Sequence, residues 1–124
     1  MYFPSDLFSK AYAYAEQKYD FVAILSAKYG LLFPNDEIEP YDLTLNNMGV
    51  LERREWAKKT FTQMKNKLQL KDFDKIFFHA GKKYREHLIP KLENLGVKCE
   101  IPLKGLRFGE QLAWYKEQLH IIRG

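Results

Sequence analysis

The apolar run Phe21-Val22-Ala23-Ile24-Leu25 decides the fold expected for this chain of 124 residues. An unbroken apolar run of this length suits a strand that is buried on both faces, as strands of parallel sheets are. Before it, Ser5-Asp6 offers a helix N-cap, and apolar residues then recur at helical spacing as far as Tyr19. The N-terminal part of the chain therefore predicts a helix followed by a buried strand.

Downstream of this strand, strand-like and helix-like periodicity alternate twice more. Strands are predicted over 75–78 and 97–101, and helices over 50–68, 82–95 and 108–122. Pro90 should kink or split its helix, and Gly96 suits the position just after that helix ends. The alternation predicts an α/β fold: a small three-layer domain with a short, mainly parallel sheet of about three strands flanked by four helices. Residues 1–124 are expected to form one domain.

Composition excludes several classes of function. No apolar stretch is long enough to cross a membrane, and the N-terminus lacks the basic and apolar regions of a signal peptide, so a cytoplasmic protein is expected. The single cysteine, Cys99, excludes an internal disulfide and a Cys-rich zinc site. The three histidines lack the spacing of a metal site, so neither a metal nor a cofactor is predicted.

The charge of the chain is mildly basic and unevenly distributed. The formal net charge is +4, which permits contact with nucleic acid without requiring it. Between Leu51 and Lys71 seven Lys and Arg residues face only two acidic ones, Glu52 and Glu55. Two interpretations stay open: a solvated helix face, or a stripe that faces phosphates.

The segment 27–49 has no clear periodicity and contains Gly30, Pro34 and Pro40. Structureless loops of this length are uncommon in compact domains and are usually functional or disordered. Because the segment also carries aromatic and aliphatic residues, we expect it to be ordered and packed over the core.

Polar residues and glycines follow each predicted strand, where open parallel sheets bind their ligands. The candidate catalytic residues are Asp42 and His79, as acid, base or orienting groups for water. The candidate ligand-binding residues are Ser26, Lys28, Tyr29, Gly30, Tyr41, Gly81, Tyr84, Arg107 and Gln111. Tyr rings would stack on a base, and Lys28 and Arg107 would hold phosphate.

Each of these residues also has a structural interpretation. Ser26 would simply end a strand, and Asp42 would bond backbone amides in a turn after Pro40. His79 would be a core residue, while Arg107 and Gln111 would cap the last helix. The functional interpretation requires the three turns to meet around one hollow.

The motif Ser26-Ala27-Lys28-Tyr29-Gly30-Leu31-Leu32, then Pro34, then Ile38-x-Pro40-Tyr41-Asp42-x-Thr44-Leu45, resembles the signature of a widespread group of uncharacterised bacterial and phage domains. More distantly it is similar to the YaaA peroxide-stress proteins, which carry a Ser-Gly-x-Tyr-Gly-Leu-Leu segment followed by Ile-x-Pro-Tyr. The later Ala80-Gly81-x-x-Tyr84 and Gly109-x-Gln111-Leu112 also resemble the smaller group's pattern.

The YaaA-like resemblance implies an association with nucleic-acid protection or modification, and a fold similar to uracil-DNA-glycosylase-like enzymes. Relatives usually begin with a further strand that ends in a Ser-Cys-Lys-like segment, whereas Met1 here lies just ahead of the first helix. This departure predicts either a shortened relative or a chain that borrows a strand by forming a homodimer.

The leading functional hypothesis is a domain associated with nucleic acid or a nucleotide, acting in nucleobase or DNA modification or protection, with DNA, RNA or a nucleotide as partner. If the protein is an enzyme, a hydrolase or glycosylase acting on a nucleoside or nucleobase is the expected class. Two alternatives stay open. One is a non-catalytic binding module, a phage-type protein that captures a host factor or a small nucleotide. The other is a structural protein that dimerises through an exposed sheet edge.

Overall fold

The computed structural model describes residues 5–39 and 43–123. The helices are α1 (Asp6–Lys18), α2 (Val50–Lys67), α3 (Lys82–Arg85), α4 (Leu88–Asn94) and α5 (Phe108–Arg123). The strands are β1 (Ile24–Ser26), β2 (Gly30–Leu32), β3 (Ile76–Phe77) and β4 (Cys99–Glu100), and single 3₁₀ turns occupy Leu45–Asn47 and Leu70–Asp72. None of the helices in this described part is long and apolar enough to cross a membrane.

These residues group into two compact units. The terminal unit takes the described residues of 1–23, 33–40 and 103–124, and the central unit takes those of 24–32 and 41–102. Both units combine distant parts of the chain, so neither is a continuous segment.

In the terminal unit, α1 packs against α5. Its core is formed by Tyr14, Leu103, Tyr115 and Leu119, and the Tyr14 ring meets the Trp114 ring edge-on with centroids 5.0 Å apart. Ser5 caps α1, because its side chain accepts a hydrogen bond of 3.0 Å from the Phe8 amide. The predicted N-cap and the helical spacing that follows it are therefore confirmed.

The central unit assembles around α2, which contacts β2, α3 and α4. Leu45, Leu88 and Leu92 are completely buried there. The predicted helix 82–95 is split, as Pro90 suggested, but the break lies at residues 86–87 and Pro90 occupies the first turn of α4. Proline is tolerated at that place because its missing amide would have had no partner within the helix.

Gly96 follows α4 with φ +86°, as the sequence predicts. Its amide donates to the Glu93 carbonyl at 2.9 Å, and the Val97 amide donates to the Leu92 carbonyl at 3.1 Å. These two bonds form a Schellman motif, which ends α4 and directs the chain into β4.

The expectation of one mainly parallel sheet of about three strands is wrong. β1 pairs antiparallel with β2, in register Ser26↔Gly30, and the parallel pairing is between β3 and β4 in a separate two-stranded sheet. The reason is Gly30, whose φ of +77° lets a three-residue turn reverse the chain inside the segment expected to be a loop. The apolar run is also displaced from the strand, since Phe21 is 48% exposed and pairing begins only at Ile24.

Candidate functional site

The hairpin turn of residues 27–29 is held from inside by Ser26. This residue is 1% exposed, and its Oγ accepts hydrogen bonds from the amides of Lys28 at 3.2 Å and Tyr29 at 3.0 Å. The hydroxyl thus organises its own turn, as serine side chains commonly do after a strand. A direct contact of Ser26 with a ligand stays a prediction.

Gln63 of α2 fastens the hairpin to the helix. Its Oε1 accepts from the Leu31 amide at 2.9 Å, and its Nε2 donates to the Tyr29 carbonyl at 3.2 Å. A Cβ at Gly30 would clash with the Gln63 side chain and would lie 3.1 Å from the Thr60 hydroxyl. Gly30 is therefore required by close approach to α2 as well as by its positive φ.

Trp56 connects the first predicted turn to the second. Its Nε1 donates to the Ser26 carbonyl at 2.9 Å, and its indole meets the Tyr84 ring edge-on with centroids 5.6 Å apart. The Tyr84 hydroxyl lies 3.4 Å from both Thr44 Oγ1 and the Leu45 amide. Ser26, Tyr84 and Thr44 are therefore brought into one connected cluster. Sequence analysis does not predict a role for Trp56 or Gln63 at this cluster, because the helical pattern of α2 does not distinguish a residue that bonds a turn from one that only fills space.

Lys28 and Tyr29 form the outward part of the turn. Lys28 is exposed and Tyr29 is partly exposed, and the Lys28 ammonium lies 5.2 Å from the centre of the Tyr29 ring. A lysine at this distance is attracted by the face of the ring. The two side chains thus present a cation and an aromatic surface together.

His79 and Gly81 follow β3. Burial lowers the pKa of His79 to about 4, so its imidazole is neutral at neutral pH. Gly81 precedes α3, which has only four residues. Such a short helix has little dipole, so an anion contact at Gly81 stays a prediction that the helix does not strengthen.

Arg107 and Gln111 belong to the terminal unit, where α5 begins. The Arg107 amide donates to Glu110 Oε1 at 2.8 Å, and Gln111 Nε2 donates to the Leu106 carbonyl at 2.9 Å. The second bond is the capping contact that the structural interpretation of Gln111 predicts. Tyr41 and Asp42 lie outside the described residues, so the meeting of all three turns stays a prediction.

A shallow depression of about 420 Å³ runs along α2. Its charged residues are Lys58, Lys59, Lys67 and Glu55, and its neutral polar residues are Thr62, Gln63 and Asn66. We call Lys58, Lys59 and Lys67 the lysine face; each is exposed, and no ion pair within 5–39 and 43–123 includes them. The depression therefore carries an excess of positive charge and several hydrogen-bond donors.

The placement of the His, Cys, Asp and Glu side chains bears on metal and thiol chemistry. Among the described residues no group of three His, Cys, Asp or Glu side chains is placed to hold a metal ion. Burial, with a smaller contribution from Glu93, raises the pKa of the Cys99 thiol to about 11. At neutral pH this thiol is protonated and is a poor nucleophile.

Comparison with known proteins gives one family. The model of a family of unknown function, DUF6884, matches residues 1–117. Searches of the curated proteins and of the solved structures found no match.

Proposed function

The chain belongs to the family of unknown function DUF6884, and we propose that it is a nucleic-acid-associated domain that binds a phosphate backbone on the lysine face of α2. The observation that carries the proposal is the depression in which Lys58, Lys59 and Lys67 accompany a single carboxylate. Charge neutralisation and counterion release supply most of the affinity in contacts of this kind.

The spacing of the lysine face suits a repeating anion. Lys59 and Lys67 are eight positions apart on one helix, which corresponds to about 12 Å along its axis and a rotation of about 80° around it. Phosphates of one stacked strand follow one another at about 3.4 Å along the axis, so the face spans several of them. The amide of Asn66 adds a neutral donor between the charges.

We favour binding over catalysis. The Ser26 hydroxyl is buried in its own turn, and the Cys99 thiol is protonated. The resemblance of residues 26–45 to YaaA-like sequences, which stays a prediction, implies the same class of partner. A hydrolase that uses Asp42 and His79, a homodimer through a sheet edge and a cytoplasmic location all stay predictions.

The test is a titration of fluorescently labelled single-stranded and duplex DNA, followed by anisotropy at about 50 and 200 mM salt. The double variant Lys58→Gln/Lys59→Gln should weaken binding tenfold or more at the lower salt concentration. It should also reduce the slope of log affinity against log salt by about 1 to 2, because two phosphate contacts are lost.

The matched control is Lys10→Gln/Lys75→Gln, which removes the same charge from two lysines paired with Asp6 and Glu100. This control should lose little affinity. Absence of binding at low salt, or equal weakening by both double variants, would refute the proposal.

A further inference from the structure

We infer that the nucleic acid bound on the lysine face is single-stranded, and that the ring of Tyr29 stacks on one of its bases. The inference rests on the proposed function and adds to it the class of nucleic acid and the residue that selects it. It comes from the placement of one aromatic side chain relative to the lysines of α2.

One residue of α2, Gln63, connects the hairpin turn with the depression. Gln63 lines the depression, and the same side chain holds the Tyr29 carbonyl and the Leu31 amide. The backbone of Tyr29 is therefore one hydrogen bond away from the wall of the depression. A strand whose phosphates lie along the lysine face would pass beside this turn.

Several hydrogen bonds fix the backbone of the turn that carries the Tyr29 ring. Ser26 Oγ bonds two of its amides, Trp56 bonds the Ser26 carbonyl, and Gln63 bonds the turn from α2. Side chains carried by a pre-organised turn lose less conformational entropy when a ligand arrives. The backbone that carries the Tyr29 ring is thus fixed, although it lies in a connection between two strands.

The chemistry of the turn suits an unpaired base. Tyr29 is partly exposed, and the ammonium of Lys28 lies over one face of its ring, 5.2 Å from the centroid, so a base would stack on the opposite face. Aromatic rings next to cationic grooves are the usual means by which proteins hold single strands, since every base has a face on which to stack. The bases of a duplex are stacked on one another and offer no free face, so the ring favours a single strand.

The experiment uses the full chain and labelled oligonucleotides of roughly 12 nucleotides: oligothymidylate, oligouridylate and a blunt duplex. We expect both single strands to bind at least tenfold more tightly than the duplex. Tyr29→Ala should weaken single-strand binding about tenfold and leave the salt slope unchanged, because no phosphate contact is lost. Tyr29→Phe, which keeps the ring, should retain the native affinity.

A second measurement uses the native protein and does not depend on how Tyr29→Ala folds. Ultraviolet crosslinking to oligothymidylate in which iodouracil replaces thymine should label the peptide that contains Tyr29. Equal affinity of Tyr29→Ala and native protein, labelling elsewhere only, or preference for the duplex would overturn the inference. The Lys58→Gln/Lys59→Gln result decides the proposed function separately, so loss of affinity there with an unaffected Tyr29→Ala would leave that function standing.

Discussion

His79 follows β3 with its side chain partly buried, and burial lowers its pKa to about 4 from an ordinary 6.5. The unfolded chain therefore binds this proton more readily than the folded protein does. Stability should be unaffected by His79 above pH 6.5 and should fall as the pH drops from 6.5 to 4, by roughly 1–3 kcal/mol. Guanidinium unfolding at pH 7.5 and 4.5 measures the loss, which should be smaller in His79→Gln.

His120 provides the control, because it is exposed on α5. His120→Gln should lose as much stability between the two pH values as the native protein. If the His79 imidazole titrates near pH 6.5 by NMR, or if His79→Gln keeps the full pH dependence of stability, then burial does not lower the pKa of His79.

Thr60 is fully buried on α2, and its hydroxyl has no hydrogen-bond partner in the described part of the chain. A buried polar group without a partner lowers stability, and valine has nearly the same shape without the hydroxyl. We expect Thr60→Val to raise the free energy of unfolding by about 1 kcal/mol, measured by urea denaturation.

Thr62→Val, on the same helix, is the matched control. The Thr62 hydroxyl is exposed and donates to the Lys58 carbonyl at 3.1 Å. Its replacement should change stability by less than about 0.5 kcal/mol. A destabilised Thr60→Val would show that the hydroxyl is satisfied, for example by an ordered water.

At the scale of elements, Gly30 and Gly96 separate two reasons for glycine. Both have positive φ, but only at Gly30 would a Cβ clash, and it would clash with Gln63, which fastens the hairpin to α2. Gly96→Ala should cost about 1–2 kcal/mol of stability for backbone strain alone. Gly30→Ala should cost roughly 1–3 kcal/mol more, because Gln63 must leave the Leu31 amide without its partner. Thermal and urea unfolding of both variants measure the difference.

Gly109 is the control for the substitution itself. It lies in the first turn of α5, its φ is not positive, and a Cβ added there would meet no atom within 4 Å. Gly109→Ala should stabilise the protein by up to about 1 kcal/mol. Equal costs at Gly30 and Gly96 would mean that the contact with Gln63 contributes little to holding the hairpin.

The elements that sequence analysis predicted well are those that local patterns specify. Ser5 as the cap of α1, the extent of α2 and Gly96 after α4 each depend on neighbours within a turn or two of helix. The β1–β2 hairpin was missed because Leu31 and Leu32 lie in a stretch without periodicity. Its attachment to α2 depends on Gln63, more than thirty residues away. The β1–β2 pairing itself is local, but the contact that fastens it to α2 is distant, and a single sequence does not reveal such contacts.

The same division applies to the candidate site. The sequence identified Ser26, Tyr84 and Gly30, and the structure connects the first two through Trp56. The role of Trp56 depends on which face of α2 meets the turn, and helical periodicity alone could not supply that. Sequence analysis selects Ser26 and Tyr84 because each follows a predicted strand, whereas the residue that connects them lies on a helix, and a role of either in binding a ligand stays a prediction.

At the scale of the whole molecule, the chain passes between its two units four times, after residues 23, 32, 40 and 102. The sequence predicts one domain over 1–124, so the two units should unfold together despite their separate cores. Each unit contains one of the two tryptophans: Trp114 in the terminal unit and Trp56 in the central unit. The fluorescence of each residue therefore reports on one unit.

Two single-tryptophan variants test this cooperativity. In Trp114→Phe the fluorescence follows the central unit, and in Trp56→Phe it follows the terminal unit, while far-UV circular dichroism follows all helices. Trp56→Phe should be the less stable variant by about 1–3 kcal/mol, because the Ser26 carbonyl loses its bond to the indole. Within each variant, however, the fluorescence and dichroism midpoints in urea should coincide, since single domains of this size usually unfold in one cooperative transition. Separate midpoints within one variant would instead show two independently folding units, and the lysine face and hairpin turn of the central unit would then have to be tested as a site of that unit alone.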